Sequence, residues 1–329
     1  MADGNPHFKE GRVHHTVHWP LPTDVYGGSF LYHMKPNLVH IGFVVGLDYE
    51  NPYVNPYEIF QQYKTHPEIR KVLQGGECLS YGARCLNEGG YHAIPKLTFP
   101  GGMLAGDSAG FLNVAKIKGA HNAMKSGMVA AESIYEQVAE GGNLESTELK
   151  NYEKNIRKSW IMKELRESRN FKGGFDKGLW FGLLHGRVIT STKGREPWTL
   201  THKVRDSATT QPKDKFTPIE YPKKDGKLTF DLLTNLARSG TNHDHDQPSH
   251  LRVKSGMEKV PVDTSLAVFG APEQRFCPAK VYEYVPDEKT GGSKLQINAQ
   301  NCLHCKCCAI KTPLEYIDWN VPEGAGGPN

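Results

Sequence analysis

The hydrophobic pattern of the first hundred residues predicts strands followed by helices. The segment VYGGSFLYH has a hairpin-like pattern, and Val39 to Leu47 is apolar on both faces, which is typical of a buried strand. Residues 56–74 carry apolar side chains at helical spacing. Pro67 is expected to bend this helix, because proline lacks the backbone N–H that a helix interior needs.

The middle of the chain predicts two longer helices. The apolar MLAG leads into GDSAG, which predicts a strand that ends at a tight turn. A helix follows from about Gly119 to Ala139, and Gly141-Gly142 ends it. A second helical stretch covers residues 146–169. Its apolar stripe, expected in the core, consists of Leu149, Tyr152, Ile156, Trp160 and Leu165. Strands and helices together predict an α+β fold.

Residues 171–200 place a short apolar patch between basic residues. The apolar part, Gly178 to Leu184, is much shorter than the ~20 residues that cross a bilayer, so a transmembrane helix is excluded. Two interpretations stay open, an ordinary buried helix and a segment lying in the membrane interface. In the second, the apolar residues would be Leu179, Trp180, Phe181, Leu183 and Leu184, and the basic ones Lys172, Lys177, Arg187, Lys193 and Arg195.

Composition excludes several functions. The 329 residues carry a net charge of only +4 and no long run of Lys or Arg, so nucleic acid is not an expected partner. Ser108 in GDSAG lacks the frame of a nucleophile elbow, which argues against a serine hydrolase. The N-terminal MADGNPHFKEGRVHHTV has neither the apolar core of a signal peptide nor the Arg/Ser-rich character of a transit peptide. We therefore expect no targeting segment in this chain.

The cysteines give the strongest chemical signal. Of seven cysteines, five crowd into the last fifth of the chain, which favours a metal in a reducing compartment over a disulfide framework. Cys302, Cys305 and Cys308 form two successive CxxC steps. Thiolates at this spacing, on a tight loop with inward-facing amides, reach three irons of one 4Fe–4S cluster.

The fourth ligand is expected from a distant cysteine, because the run does not end in the Cys-Pro of ferredoxins. Cys277 is followed by proline, and a hairpin-like VYEYV…KLQINAQ separates it from the other three. Cys307 is not chosen, since only Cys308 keeps the spacing. The predicted ligands are Cys277, Cys302, Cys305 and Cys308. A zinc site built from the same thiolates is the alternative.

The segment NHDHDQPSH combines possible metal ligands. Alternation would put His243 and His245 on one face of an extended strand, near His250, Asp244 and Asp246. We favour a surface loop tied by side-chain hydrogen bonds, because metal-binding histidines need a closed set of ligands and supporting partners.

A weaker pattern is typical of half a flavin site. Gly106-Asp107 follows apolar residues and precedes the helix that opens near Gly119. In flavoproteins of the glutathione-reductase-like fold, such a carboxylate binds a ribitol hydroxyl and the positive helix N-terminus faces the flavin. The other half would be a strand, GxGxxG and a helix, and this fingerprint is absent from the sequence.

Several long segments of the sequence resemble those of one protein family. They are GRVHHTVHWPLPTDVYGGSFLYH, NEGGYHAIPKLTFPGGMLAGDSAGFLNVAKIKGAHNAMKSG, SGTNHDHDQPSHL, PEQRFCPAKVYEY and INAQNCLHCKCC. In order and in cysteine spacing, the chain resembles the electron-transfer flavoprotein:ubiquinone oxidoreductases from about Gly11 to its end. The resemblance implies electron transfer from reduced electron-transfer flavoprotein, through a 4Fe–4S cluster and FAD, to membrane ubiquinone.

The resemblance also implies roles for particular residues. The four predicted cysteines resemble the family's cluster ligands. The residues that resemble its flavin contacts are Gly106, Asp107, Gly119, Ser126 and Gly127, and those that resemble the quinone contacts are Tyr26, Gly27 and Gly28. For residues 171–200 the resemblance favours a monotopic membrane surface. The family commonly has a hydroxyl residue where Cys307 stands, which implies a lower cluster potential here because a thiol is a weaker hydrogen-bond donor.

The implied architecture is the C-terminal portion of a glutathione-reductase-like FAD- and quinone-binding fold plus a ferredoxin-like 4Fe–4S domain. Residues 1–170 would be a partial FAD- and ubiquinone-binding region, 171–200 the membrane-surface segment and 201–329 the cluster domain. The implied location is the matrix side of the mitochondrial inner membrane, or the bacterial cytoplasmic membrane. Family chains are nearly twice as long and include the GxGxxG unit, so a non-catalytic, ferredoxin-type cluster-binding fragment is the alternative function.

Overall fold

A computed structural model describes residues 4–202, 204–288, 291–324 and 326–328. The chain divides into two compact units. The first unit consists of Met1–Cys85 and Val204–Asn329, and the second consists of Leu86–Lys203. Mixed strands and helices confirm the α+β class.

The strands are β1 (Val13–Val17), β2 (Gly27–Met34), β3 (Leu38–Val45), β4 (Thr98–Phe99), β5 (Gly102–Met103), β6 (Leu251–Val253), β7 (Tyr282–Pro286), β8 (Ser293–Ile297) and β9 (Ile317–Trp319). The helices are α1 (Pro56–Lys64), α2 (Pro67–Leu73), α3 (Ala120–Ala139), α4 (Lys150–Lys158), α5 (Trp160–Glu167), α6 (Leu179–Thr192), α7 (Asp206–Thr209), α8 (Leu232–Ala237), α9 (Ala267–Phe269), α10 (Glu273–Phe276) and α11 (Cys307–Lys311). Short 3-10 and π segments connect several of them.

The N-terminal part of the first unit is an antiparallel sheet in the order β1-β2-β3, with α1 and α2 after it. The hairpin and the strand at Val39 to Leu47 are confirmed, since Leu31 on β2 pairs with Ile41 on β3. Proline opens α1 and α2 at their first positions, where its missing N–H costs nothing. The bend at Pro67 is therefore confirmed as a boundary between two helices.

The C-terminal part of the first unit is built from two short strand pairs around a cysteine-rich core. The β7–β8 hairpin confirms the predicted hairpin between Cys277 and Cys302. β6 pairs with β9. The buried core here includes Phe276, Tyr282 and Tyr316. It holds the cysteine loop between elements that are far apart in sequence.

The second unit packs α3, α4 and α5 around a core that includes Leu97, Phe111, Tyr152 and Ile156. The predicted single helix over 146–169 is wrong, because the backbone of Ser159 is extended and separates α4 from α5. This break turns Trp160 outward. It is 45% exposed and stacks on His121, so its assignment to the core is also wrong.

The second unit also contains α6, the helix of the basic and apolar segment. Its glycines face inward, since a Cβ on Gly182 or Gly186 would collide with the ring of Phe175 or Phe171. The opposite side of α6 presents apolar side chains to solvent. Among the residues that the structure describes, no helix has both the length and the apolar character needed to cross a bilayer.

Candidate iron–sulfur centre and flavin half-site

The four predicted cysteine ligands line one small cavity in the first unit. Cys277 ends α10, Cys302 follows a 3-10 turn, Cys305 lies on the connecting loop, and Cys308 lies in α11. All are free thiols. The cavity walls are mostly apolar and include Leu251, Val281 and Leu303. Such walls keep water away from the sulfurs.

The loop that carries three of these cysteines is tightly coiled. His304 and Lys306 both have positive φ, at 54° and 65°, so the backbone reverses on each side of Cys305. The amide of His304 donates to Cys302 Sγ at 3.3 Å. This arrangement matches the expected loop with inward-facing amides, which stabilises the negative charge of a thiolate-bound cluster.

Burial controls the pKa values of these thiols. Desolvation raises the pKa of Cys277 to about 12, and the backbone amides of Val281 and Ala279 only partly offset it. Desolvation likewise raises the pKa of Cys302 to about 12, against an offset from the amide of His304. Without metal, burial thus favours the protonated thiols. A bound metal favours the thiolates instead, because thiolates are the metal-binding form and metal binding releases their protons.

The spacing of the sulfurs favours the cluster over zinc. Four thiolates around zinc, at about 2.3 Å each, would lie roughly 3.8 Å from one another. In the described part of the chain, the groups of three donors within 4.8 Å of one another contain no cysteine. No three of the four sulfurs are therefore as close together as a single zinc ion needs, and the arrangement fits several irons better than one zinc ion.

Cys307 also lines the cavity, and its thiol is engaged with a cysteine that the spacing analysis did not single out. A hydrogen bond between the Cys307 and Cys85 thiols lowers the pKa of Cys85 and raises that of Cys307. The Cys85 amide donates to the carbonyl of Cys305 at 3.1 Å. Cys85 is remote in sequence from the CxxC steps, so their spacing carried no signal for it.

Lys311 is a second residue that sequence reasoning missed. It is fully buried, three residues after Cys308. Its Nζ donates to the carbonyl of Tyr49 at 2.6 Å and to Thr209 Oγ1 at 2.9 Å. Desolvation lowers the pKa of Lys311 to about 8, and Asp206 partly opposes this. A buried cation near the cysteine cavity favours added negative charge there.

The flavin-type residues lie together in the second unit. Gly106 opens a 3-10 turn with φ of 65°, and a Cβ there would lie 3.4 Å from Cβ of Ala123 on α3. The Gly106 amide donates to Ser126 Oγ at 2.8 Å, and this hydroxyl donates to the Ala123 carbonyl at 2.7 Å. Ser126 is therefore a buried link between the turn and α3.

Of the remaining flavin-type residues, Asp107 and Gly127 border open space, whereas Gly119 lies against Leu112. Asp107 is exposed on the turn. Gly119 is the N-cap of α3 and offers no side chain to its first-turn amides. A Cβ on Gly127 would meet nothing within 4 Å. An exposed carboxylate and an uncapped helix N-terminus have the chemistry of the predicted flavin contact.

The quinone-type residues lie where β2 begins. A Cβ on Gly27 would sit 2.3 Å from the Val44 carbonyl oxygen, and one on Gly28 would sit 2.2 Å from that of Thr16. Both positions thus require glycine, because neighbouring strands approach too closely for a side chain. The Tyr26 carbonyl accepts from the Gly46 amide at 2.8 Å.

The histidine-rich segment is only partly the predicted surface loop. Asp244, His245 and Asp246 are exposed, as expected. His243 and His250 are buried, so placing them on the surface is wrong. They pack against His304, and the Nε2 atoms of His243 and His304 lie 2.8 Å apart. Desolvation lowers the pKa of His250 to about 4, with smaller contributions from His243 and His304.

Comparison with known proteins finds family models that match an N-terminal and a C-terminal region of the chain. A family model described as electron transfer flavoprotein-ubiquinone oxidoreductase, 4Fe-4S, matches residues 226–329. A second, described as ETF-QO, ubiquinone-binding, matches residues 4–86. The first match contains all four predicted cluster ligands, and the second contains Tyr26, Gly27 and Gly28.

Whole-chain relatives agree with these matches. The mitochondrial electron transfer flavoprotein-ubiquinone oxidoreductase of Bos taurus is 54% identical over 330 residues, covering 98% of this chain and 53% of the relative. The Caenorhabditis elegans protein of the same name is 55% identical, covering 97% and 55%. That of Arabidopsis thaliana is 53% identical, covering 97% and 49%. The chain thus spans about half the length of the curated relatives it matches.

Proposed function

Because the chain belongs to the electron transfer flavoprotein-ubiquinone oxidoreductase family, we propose that it forms part of an enzyme that oxidises electron-transfer flavoprotein and reduces ubiquinone. The observation that carries the proposal is the cavity lined by Cys277, Cys302, Cys305 and Cys308 within the matched 4Fe–4S region. When bound, a 4Fe–4S cluster supplies one-electron transfer. The residues of this chain would hold it, exclude water and tune its potential.

The first prediction concerns the effect of Cys307 on the midpoint potential of the cluster. Replacing Cys307 with threonine should raise the midpoint potential of the cluster. The Cys307 thiol is engaged with Cys85, whereas a threonine hydroxyl, which is a stronger donor, would donate a hydrogen bond to a cluster sulfur. One added hydrogen bond of about 0.5–1.5 kcal/mol corresponds to roughly 20–60 mV for a one-electron couple. Potentiometric titration followed by electron paramagnetic resonance measures the midpoint.

The matched control for that prediction is Cys307→Val, which has the shape of threonine without its hydroxyl. The valine variant should show no such rise. Equal midpoints for the threonine variant and the unmodified chain, or equal shifts in the threonine and valine variants, would contradict the hydrogen-bond explanation.

We propose that FAD binds at the turn and helix start of the second unit. Asp107 would accept from a ribitol hydroxyl, and the first-turn amides of α3 after Gly119 would face the flavin. Ser126 would act indirectly, by fixing the turn through Gly106, and Gly127 would leave room beside α3. Residues 1–170 would then form the partial FAD- and ubiquinone-binding region of a glutathione-reductase-like fold, and 201–329 the ferredoxin-like cluster domain.

Flavin content tests this site. Acid precipitation of the purified chain should release FAD, and Asp107→Ala should weaken FAD binding about tenfold or more, since a hydrogen bond to a charged group contributes about 1.5–3 kcal/mol. Released flavin is measured by fluorescence. Glu140→Ala is the control, because Glu140 is an exposed carboxylate at the opposite end of α3. Absence of flavin from the unmodified chain would favour the alternative function, a ferredoxin-type cluster-binding fragment.

We propose that ubiquinone lies against the backbone at Gly27 and Gly28, next to Tyr26. These residues fall in the region that matches the ubiquinone-binding model. Neighbouring strands fill the space where Cβ atoms of Gly27 and Gly28 would lie, so the proposal is supported by the family match. A quinone is apolar and resides in lipid, which requires a membrane surface nearby.

We infer that α6 supplies a monotopic membrane surface. Trp180 and Leu184 are 76% and 67% exposed, and neighbouring Phe181, Leu183 and Val188 are also exposed. The exposed basic residues around them are Lys177, Arg187, Lys193 and Arg195. Exposed aromatic and aliphatic side chains with flanking cations match an interfacial segment on anionic lipid. Since the relatives are mitochondrial proteins, the proposed location is the matrix side of the mitochondrial inner membrane, with the bacterial cytoplasmic membrane as its counterpart.

A further inference from the structure

Three histidines from distant parts of the sequence meet in the first unit. The histidine triad consists of His243, His250 and His304, and one ring nitrogen of each lies within 4.8 Å of those of the other two. The rings contact one another, with centroids 4.9–5.2 Å apart. His243 and His250 are buried, and His304 is half-buried. Exposed histidines on a loop would not converge in this way.

The triad has the internal support that metal-binding histidines have. Nδ1 of His243 lies 3.0 Å from the carbonyl oxygen of Gln300, which can only accept, so Nδ1–H donates and Nε2 is directed at His304. A backbone carbonyl on the second ring nitrogen is the usual way in which a ligating imidazole is oriented. His243 is thus held in the tautomer that a metal requires.

A second observation comes from His250. It is only 3% exposed, and its buried Nε2 has no hydrogen-bond partner among the residues that the structure describes. A buried polar atom without a partner is destabilising and calls for an explanation. A ligand held within the triad provides one.

Neighbouring groups enclose the triad. The Trp319 ring lies edge-on to both His250 and His304, at 5.9 Å between centroids. Gly327 approaches so closely that a Cβ there would be 2.5 Å from Cε1 of His304. The donors are three imidazoles, with the carboxylates of Asp244 and Asp246 exposed on the loop. Nitrogen donors without oxygen donors select zinc-like cations over magnesium or calcium.

We propose that His243, His250 and His304 bind a single zinc-type divalent cation, with water in the fourth position. Tetrahedral bonds of about 2.0–2.1 Å place ligand nitrogens roughly 3.4 Å apart. The 2.8 Å between the Nε2 atoms of His243 and His304 must therefore open by about half an ångström, which small side-chain rotations provide. No bond is made or broken other than coordination, and the cation replaces the hydrogen bond between these two rings.

The site would fasten the cysteine loop. His304 lies between Cys302 and Cys305, whereas His243 and His250 belong to the segment before β6. A cation shared by the three would tie these two segments together. The cation would thus hold two segments together at a place separate from the four thiolates of the cavity.

Zinc binding to the full chain, with its iron centre assembled, tests the proposal. After equilibration with Zn²⁺ and removal of the excess, metal analysis should find one zinc per chain with iron unchanged. His250→Ala should bind zinc about a hundredfold more weakly or worse, while His245→Ala, at an exposed position on the same loop, should bind like the unmodified chain. Equal zinc binding by the His250→Ala variant and the unmodified chain would overturn the proposal.

Two further measurements distinguish zinc binding at the histidine triad from misfolding of a variant and from zinc binding to cysteines. Adding Zn²⁺ to the unmodified, iron-loaded chain should raise its Tm, and no rise would count against the site. Co²⁺ in place of Zn²⁺ should show ligand-field bands without thiolate charge-transfer bands. Thiolate bands would place the metal on cysteines and refute the histidine site.

Discussion

Replacing Cys277 with alanine will remove the 4Fe–4S cluster from this chain. Cys277 is the one predicted ligand outside the CxxC run, and it reaches the cavity from the end of α10. Without its thiolate, one iron loses its protein ligand in a buried apolar site where no water can easily replace it. Iron should fall from about four per chain to a small fraction, and the electron paramagnetic signal of the reduced cluster should disappear.

The control for this prediction is Cys78→Ala. Cys78 is also a free cysteine of the first unit, but it does not line the cavity. It should keep full iron and acid-labile sulfide content. Circular dichroism separates cluster loss from unfolding, because removing one sulfur should leave the helices intact. A four-iron spectrum retained in Cys277→Ala would refute the assigned ligand set.

The centre could be predicted from sequence where its determinants are local. The CxxC spacing indicates Cys302, Cys305 and Cys308 as candidate ligands, and the proline after Cys277 indicates the distant one. The backbone turns at His304 and Lys306 follow from the need to aim three thiolates at one point. Local spacing was sufficient to single out four cysteines that line one cavity, and their role as cluster ligands stays a prediction.

Contacts made across long sequence separations could not be predicted. His243 and His304 lie 61 residues apart, and no pattern in either segment encodes their meeting. The partnership of Cys85 with Cys307 is equally remote. Periodicity also failed at Ser159, because an apolar stripe can continue through a break in the helix and gives no sign that Trp160 turns outward. These features depend on tertiary packing, which overrides local pattern.

Replacing Trp180 and Leu184 together with serine should weaken binding of the chain to anionic vesicles by at least about tenfold. The two side chains are the most exposed apolar groups on α6. Full burial of such a side chain contributes about 1.5–3 kcal/mol, and even partial insertion of both exceeds the ~1.4 kcal/mol that corresponds to tenfold. Co-sedimentation with phosphatidylserine-containing vesicles, titrated in lipid, measures the change.

A second double variant shows whether the effect belongs to α6. Met124 and Tyr135 on α3 are 72% and 74% exposed, so Met124→Ser with Tyr135→Ser removes a similar exposed apolar area from the same unit. If α6 is the membrane surface, this variant keeps its affinity for anionic vesicles. Raising the salt concentration should also weaken vesicle binding by the unmodified chain, because salt screens the basic side chains around α6. Equal loss in both double variants would instead indicate general stickiness. Unchanged binding of the α6 variant would exclude this helix as the lipid contact.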